Sequence, residues 1–485
     1  MVGAEGHCPI LDYCHRPGID FDEYAETQIN DVEQMELAGK HILIVGFGIT
    51  GSAVAQFLKH RGAAVTITDM ASETQLGDYA ALARQLKIKL ELGRHDPETF
   101  ASADLIVLSP GVPHTIPPIK KAREKGIPVL GEIELAAKFI EEPIIAVTGT
   151  NGKTTTTALL GEMLWASGQK VFVGGNIGNP LIAYVDQGEK AQSVVVELSS
   201  FQLDTIETFR PAVSVLLNIS EDHLDRYPDF RAYAASKCRI FQNQQREDTA
   251  ILNGADTHIR SMTRNIAPAK MYFNSSPGDE NGASLLNGQL VINLGEKFPD
   301  HLKLDLSGIR LKGRHNFENI CAASLAALTA GGTWEGVASA LNHFKGLPHR
   351  LEYVDSVNNV RFFNDSKATN VDAVARALTA FDDPLILIMG GQDKGGNFQA
   401  LKDMVRRTVK QLIVIGEAAQ DIKTALDHTT SIKTAETMEE AVMEAYHQAI
   451  PGDVVLLSPA CASFDMYRNY AHRGEIFCNA VKGLK

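Results

Sequence analysis

The sequence predicts an α/β protein built from three successive parallel-sheet units. Short apolar runs that suit buried strands alternate with helical stretches from His41 to Leu457. Two glycine-rich turns each stand between such a run and a helix: Gly46-Phe47-Gly48-Ile49-Thr50-Gly51 and Gly149-Thr150-Asn151-Gly152-Lys153-Thr154. A chain of 485 residues, 44% of them apolar, has length for several cores of this kind. The expected boundaries are an extension at 1–35, expected to be disordered, followed by domains at 36–131, 132–346 and 347–485.

Bulk properties exclude several function classes. A net charge of -13 argues against nucleic-acid binding, which needs a surplus of Lys and Arg to displace counterions. No apolar run is long enough to span a bilayer. The six cysteines, Cys8, Cys14, Cys238, Cys321, Cys461 and Cys478, lack C-x-x-C spacing, which suits free thiols in a reducing cytoplasm better than disulfides or zinc. The first residues have neither the basic nor the apolar region of a signal peptide. Met35 shortly precedes a clean strand pattern, so translation is expected to begin there and residues 1–34 to be dispensable.

In the first unit, His41–Val45 reads as a buried strand running into G-x-G-x-x-G and a helix from Ser52 to Arg61. A second strand, Ala64–Thr68, ends at Asp69, where a dinucleotide-binding fold keeps an acid for a ribose hydroxyl. Taken alone this fingerprint suggests NAD. The alternation continues through Ala103–Leu108, a strand-end loop at Ser109-Pro110-Gly111-Val112, and Ile127–Leu130.

The second unit opens with Ile144–Val147 as a strand, the turn Thr148 to Gly152, and a helix to about Ser167. Such a turn cradles phosphate, because glycines allow close backbone approach and the helix presents free N–H groups and its positive dipole end. Lys153 adds a point charge for the outer phosphates and Thr154 a hydroxyl for Mg²⁺. Val147 stands where the general P-loop pattern has its first glycine. Strands at Val171–Val173, Ser193–Glu197 and Val213–Leu217 each end in a polar loop: Gly174 to Gly178, Glu197 to Gln202, and Asn218 to Asp225. In open parallel sheets ligands lie at the carboxyl ends of strands, so these loops should gather beside the P-loop. The stretch Gly254 to Leu311 shows only short strands and turns, and a small-residue helix is expected over Glu318–Ala330.

The third unit begins near Gly346. Strands are expected at Arg361–Asp365, Leu385–Met389, Gln411–Ile415 and Asp453–Leu457. Polar loops follow at Asp365 to Asn370, Gly390 to Gly396 and Ser458 to Asp465, and sites between domains are implied.

Thr148 to Thr157, Ser199-Ser200-Phe201-Gln202-Leu203, Glu221 to Arg226, Gly313-Arg314-His315-Asn316, Leu347-Pro348-His349-Arg350, Asn364 to Asn370 and Ser458 to Asp465 together resemble the Mur ligases. The likeness runs from about Met35 to the C-terminus, and the last three motifs point to the member that adds D-glutamate to UDP-N-acetylmuramoyl-L-alanine. The resemblance implies a Rossmann-like N-terminal domain, a central P-loop mononucleotide-binding domain and a Rossmann-like C-terminal domain. It also implies a monomeric cytoplasmic enzyme of peptidoglycan precursor synthesis, and hence a place in cell-wall biogenesis, cell shape and division. A shortened G-T-N-G-K-[ST] loop is the family's own form, which accounts for Val147.

The resemblance further implies that ATP's γ-phosphoryl group activates the muramoyl carboxylate as an acyl phosphate, which the amine of D-glutamate then attacks. Gly48, Thr50, Asp69, Ser109, Pro110 and Gly111 would hold the UDP part rather than NAD, with Asn176 also on the substrate. Gly149, Thr150, Asn151, Gly152, Lys153, Thr154 and Thr155 would hold ATP phosphates, with Asn316 at the adenine and Arg350 and Asp365 at the nucleotide. Thr154, Glu197, His223 and Lys237 would hold two Mg²⁺ ions, Lys237 as a carbamate formed with CO₂, since a protonated amine there would be repelled. Lys153, His223 and Lys237 form the catalytic set. Lys367, Thr369, Lys394, Ser463, Phe464 and Tyr470 would receive D-glutamate, whose two carboxylates suit cations, hydroxyls and N–H groups. His315 and His349 are read as structural and Cys461 as a packed small residue. The rivals are a ligase of the Mur or folylpolyglutamate type with another acceptor, an NAD-dependent oxidoreductase, and a nucleotide-gated binding module without chemistry.

Overall fold

The computed structural model describes residues 35–484, apart from 275–280, 295–301, 310, 312 and 382; the extension expected at the N-terminus lies outside the described residues except for Met35. Three α/β sheets follow one another along the chain.

The first sheet holds β1 (His41–Val45), β2 (Ala64–Asp69), β3 (Lys89–Leu92), β4 (Leu105–Leu108) and β5 (Val129–Gly131) in the order β3-β2-β1-β4-β5. All its pairs are parallel. A crossover between parallel strands needs a helix, and helix α1 (Ile49–His60) provides the first. At the turn into it, a Cβ on Gly51 would lie 2.2 Å from the Gly46 carbonyl oxygen, so only glycine permits this close approach.

The central sheet comprises β6 (Ile144–Thr148), β7 (Val171–Gly175), β8 (Ser193–Glu197), β9 (Val213–Leu216), β10 (Thr249–Asn253), β11 (Ala269–Phe273), β12 (Gly282–Leu286), β13 (Gln289–Asn293) and β14 (Leu302–Asp305). Its order is β14-β13-β12-β11-β10-β9-β6-β8-β7, parallel as far as β12 and antiparallel beyond it. The irregular-looking stretch after Gly254 thus extends the sheet. Asn287 and Gly288, with φ of 50° and 77°, make the two-residue hairpin that reverses it. Helices α2 (Lys153–Ala166), α3 (Phe230–Cys238) and α4 (Arg314–Thr329) frame the site, and α4 starts at Arg314, ahead of the expected Glu318.

The third sheet orders β15 (Glu352–Val357), β16 (Val360–Asn364), β17 (Leu385–Gly390), β18 (Val409–Ile415), β19 (Ser431–Thr434) and β20 (Val454–Leu457) as β15-β16-β20-β17-β18-β19. Only the β15–β16 hairpin is antiparallel. Helices α5 (Val371–Leu378) and α6 (Tyr470–Lys482) flank its ligand edge.

The cores divide the molecule unevenly. One apolar cluster runs from β1 and α1 through Leu135 and Ile140 into Leu181, Val196 and Phe241, fusing the first two domains. Among the described residues, the clusters of the third domain contain no residue of the central one. Two buried glutamates lie at the first junction. Glu132 accepts from the Ile182 amide (2.7 Å), and burial pushes it up to about 7. Burial also opposes ionisation of Glu134, but its donors, the Thr208 hydroxyl and the amides of Glu207, Thr208 and Phe209, outweigh it and hold this carboxyl below the usual range.

Candidate functional site

The site forms where the ends of β6, β8 and β9 meet the third domain. Val147 is a buried residue of β6, and the turn proper starts at Gly149, so the position that departs from the general P-loop pattern lies within the strand. A Cβ on Gly149 (φ 155°) would lie 2.9 Å from the Leu217 Cβ, and one on Gly152 (φ 86°) would lie 2.3 Å from the Asn319 Oδ1. Both positions therefore demand glycine. No side chain caps the N-terminus of α2, which leaves its first N–H groups directed at the loop's concave side. Lys153 Nζ donates to the carbonyl oxygens of Gly149 and Thr150, each at 2.8 Å. Burial lowers its pKa, against the opposing charges of Glu197 and Asp222.

Thr154 Oγ1 accepts from Arg350 Nη2 of the third domain at 2.6 Å. Glu197, at the end of β8, accepts at Oε1 from Asn176 Nδ2 (2.8 Å), while its buried Oε2 has no hydrogen-bond partner among the described residues. A carboxylate oxygen left so is costly unless a cation meets it. His223 takes a left-handed backbone (φ 55°) and packs its ring against Phe201, 4.8 Å between centroids. Burial pushes it down to about 4, against Asp222, so the imidazole is neutral and able to ligate. These donors fit a hard divalent cation. Among the described residues, however, no group of three or more His, Cys, Asp or Glu side chains could hold one. A Mg²⁺ ion here would complete its shell with phosphate oxygens and water, as this ion commonly does.

Lys237, on α3, is 1% exposed. Its Nζ donates to the Gly149 carbonyl oxygen (2.8 Å) and lies over the Tyr233 ring, 4.6 Å from the centroid. Burial, reinforced by Lys153, holds its pKa well below that of an ordinary lysine.

A cleft between α4 and the third domain is lined by Asn151, Gly152, Thr155, Asn316, Asn319, Arg350, Asp365, Lys367 and Arg376. Asp365 accepts from Ser458 Oγ (3.0 Å) and the Leu351 amide (3.2 Å), and burial nevertheless pushes it up to about 7. His315 also lines this cleft, with a buried Nδ1 that has no partner among the described residues, so it faces the site instead of serving packing alone. Asn319 was not singled out in the sequence, although its i+3 spacing from Asn316 on one helix face could have found it; Arg376 carried no signal in sequence.

A second cavity, of about 250 Å³, lies between the loop at Glu221–Leu224 and the third domain and includes Thr369, Asn370, Lys394 and Gly395. Lys394 Nζ is engaged by Asp222 Oδ1 (2.8 Å); burial opposes ionisation of Asp222, but Lys394 and His223 hold it down to about 2. The six residues expected around D-glutamate are thus divided. Thr369 and Lys394 share this cavity, while Lys367 faces the first cleft with its Nζ 3.6 Å from the Tyr470 ring centroid. Burial first, then Arg350, pushes Lys367 down to about 7. Ser463 is buried and Phe464 is 70% exposed, and neither lines either cavity.

In the first domain, Gly48 and Thr50 stand at the start of α1. Asp69 accepts from the amides of Phe47 (2.7 Å) and Ala71 (2.8 Å), and Ser109 Oγ donates to the Gly46 carbonyl oxygen (2.8 Å), so both side chains brace the glycine turn. Ser109 and Pro110 line a crevice with Glu132 and Phe201, and the Gly111 carbonyl oxygen accepts from Arg226 (3.4 Å). The loop of the first domain therefore reaches the central site.

Comparison with known proteins matches three segments of the chain. Residues 40–131 match the family described as Mur ligase MurD-like, N-terminal domain, residues 147–327 the Mur ligase middle domain, and residues 349–461 the Mur ligase, glutamate ligase domain. A protein of Desulfosudis oleivorans named UDP-N-acetylmuramoylalanine--D-glutamate ligase is 52% identical over 454 residues, covering 94% of this chain and 98% of its own. One of the same name from Desulfatibacillum aliphaticivorans is 53% identical over 450 residues, covering 93% and 100%. Among solved structures, a pseudomurein peptide ligase type C from Methanothermus fervidus has a TM-score of 0.60 at 20% identity, covering 92% of this chain and 100% of its own. The MurF ligase from Thermotoga maritima has 0.57 at 16%, covering 93% and 100%. At these identities the two structures speak for the fold alone.

Proposed function

The chain belongs to the Mur ligase family, and from that premise we propose that it joins D-glutamate to UDP-N-acetylmuramoyl-L-alanine with conversion of ATP to ADP and phosphate. The near-full-length likeness to D-glutamate ligases at 52% and 53% identity carries this reading. The geometry supports it by setting a phosphate loop beside cations from the third domain, Arg350 and Lys367 among them.

The reaction makes an amide bond from a carboxylate, whose oxygen must first become a leaving group. Phosphoryl transfer to it is chiefly positioning and charge neutralisation. Lys153 and the N–H groups of α2 would hold the outer phosphates, and Asn316 the adenine. Two Mg²⁺ ions, held by Thr154, Glu197, His223 and Lys237, would supply the charge neutralisation at the transferred group. D-Glutamate would enter by Thr369 and Lys394, and its amine would then displace phosphate from the acyl phosphate. Gly48, Thr50, Asp69 and the Ser109–Gly111 loop would hold UDP, with Asn176 also on the substrate. The reading carries a monomeric cytoplasmic enzyme of cell-wall synthesis, acting in cell division. Among the described residues no helix is long and apolar enough to cross a membrane.

Lys237 would act as a carbamate. Its amine is enclosed, with one carbonyl oxygen as hydrogen-bond acceptor, and burial favours the neutral form that CO₂ requires. The resulting anion would sit in the field of Lys153. Lys237→Ala should abolish ligation, with partial return on adding short-chain carboxylates; a variant that kept its activity would remove the carbamate.

The function is tested by phosphate release from ATP and UDP-N-acetylmuramoyl-L-alanine in the presence of D-glutamate, L-lysine, meso-diaminopimelate or L-alanine. Stimulation by D-glutamate alone is expected, and stimulation by another amino acid in its place would reassign the acceptor.

A further inference from the structure

We propose that Asp372 is a positioning residue that latches the third domain onto the phosphate loop, so that the nucleotide cleft is complete only when its carboxylate bridges the two. The inference rests on the reading of the cleft as a nucleotide site.

Asp372 lies in the first turn of α5. Its Oδ2 accepts from Asn151 Nδ2 (2.8 Å) and Ser220 Oγ (3.1 Å) of the central domain, and from Arg376 Nε (2.9 Å) of its own helix. Both central-domain donors are themselves fixed to the phosphate loop. Asn151 exchanges hydrogen bonds through its backbone with the Asn218 side chain (2.8 and 2.9 Å), and the Ser220 amide donates to Thr150 Oγ1 (3.0 Å). Arg376, one turn along, lines the nucleotide cleft and reaches Glu318 on α4 (3.4 Å). A closed circuit of polar contacts therefore runs from the phosphate loop through α5 and back to the central domain.

Two physical facts give this carboxylate its weight. The third domain shares no apolar cluster with the central one among the described residues, so polar contacts such as these hold the junction. An acidic group beside a phosphate loop would also repel a nucleotide unless its charge were spent, and here Arg376 and two neutral donors spend it. Losing the carboxylate should free Asn151, Ser220 and Arg376 together and let the cleft wall formed by α5 drift.

Titration of the full chain with Mg·AMPPNP tests this without using ligase activity. Asp372→Ala should weaken nucleotide affinity about tenfold or more, and Asp372→Asn, which loses the charge on Arg376, roughly threefold or more. Both should unfold at the wild-type temperature when no nucleotide is present. Asn151→Ala combined with Asp372→Ala should lose less affinity than the product of the two single losses, because both break one circuit. Wild-type affinity in either Asp372 variant, or losses that multiply in the double variant, would overturn the latch. A wild-type chain that fails to bind Mg·AMPPNP would instead refute the nucleotide assignment.

Discussion

At the scale of single residues, sequence and structure agree best where chemistry demands a particular backbone. Gly149 and Gly152 were legible because a turn this tight, with positive φ and neighbours that a Cβ would meet, admits few residues besides glycine. His315 was not, since a histidine following an arginine at a helix start gives no hint that its ring will be buried in a cleft. Burial first, and the guanidinium groups of Arg376 and Arg350 second, push it down to about 4. The unfolded chain takes up this proton near 6.5, so between about 6.5 and 4 the unfolded state binds more protons at this group than the folded one. Its contribution to stability is therefore complete above pH 6.5 and is lost as the pH falls towards 4. His223 has the same sign, so His315→Asn should remove one share of the acid-side decline and leave the other. Melting midpoints between pH 7.5 and 4 for both chains check this; identical slopes would count against a depressed His315.

At the scale of elements, the strands with unbroken apolar runs were legible, and β8 has the expected bounds. The meander β12–β14 was not, because its strands are short, partly exposed and flanked by Gly and Asn. Equally hidden was what α6 contributes. Arg473 is fully buried, and its guanidinium donates to Ser366 Oγ (3.0 Å) and the carbonyl oxygens of Ser366 (2.8 Å), Cys461 (3.1 Å) and Ala462 (3.1 Å). One side chain thus ties together the two strand-end loops that precede Lys367 and Ser463. A helix pattern cannot reveal this, because the partners are about a hundred residues apart in sequence for Ser366. Lysine presents a point charge where a planar fork is needed, so Arg473→Lys should destabilise the chain by about 3 kcal/mol. It should also raise the KM for the acceptor amino acid more than that for ATP. Denaturant unfolding and steady-state kinetics measure the two effects; an unchanged midpoint would show that the loops hold without it.

At the scale of the whole molecule, three α/β units were legible, but not how differently they are joined. The first junction is apolar: Phe57 of α1 packs edge-on against Phe139 (5.3 Å between centroids), and Leu135, Ile140, Leu181 and Ile182 continue the same cluster. The second is polar, made by contacts such as Arg350–Thr154, Lys394–Asp222 and Asn370–Asp222 (3.0 Å). Periodicity could not show this, since it reports which face of an element is apolar and not which domain covers that face. Exposing apolar surface is unfavourable at roughly 25 cal/mol per Å², whereas solvent can replace the hydrogen bonds of a polar junction. The third domain should therefore separate without unfolding the rest. A fragment of residues 35–345 is expected to unfold in one cooperative transition near the midpoint of its counterpart in the full chain. A fragment of residues 35–131, which loses its share of the common core, should be markedly less stable or fail to fold. If the shorter fragment melted as high as the longer one, the apolar junction would not be the bond between the first two domains.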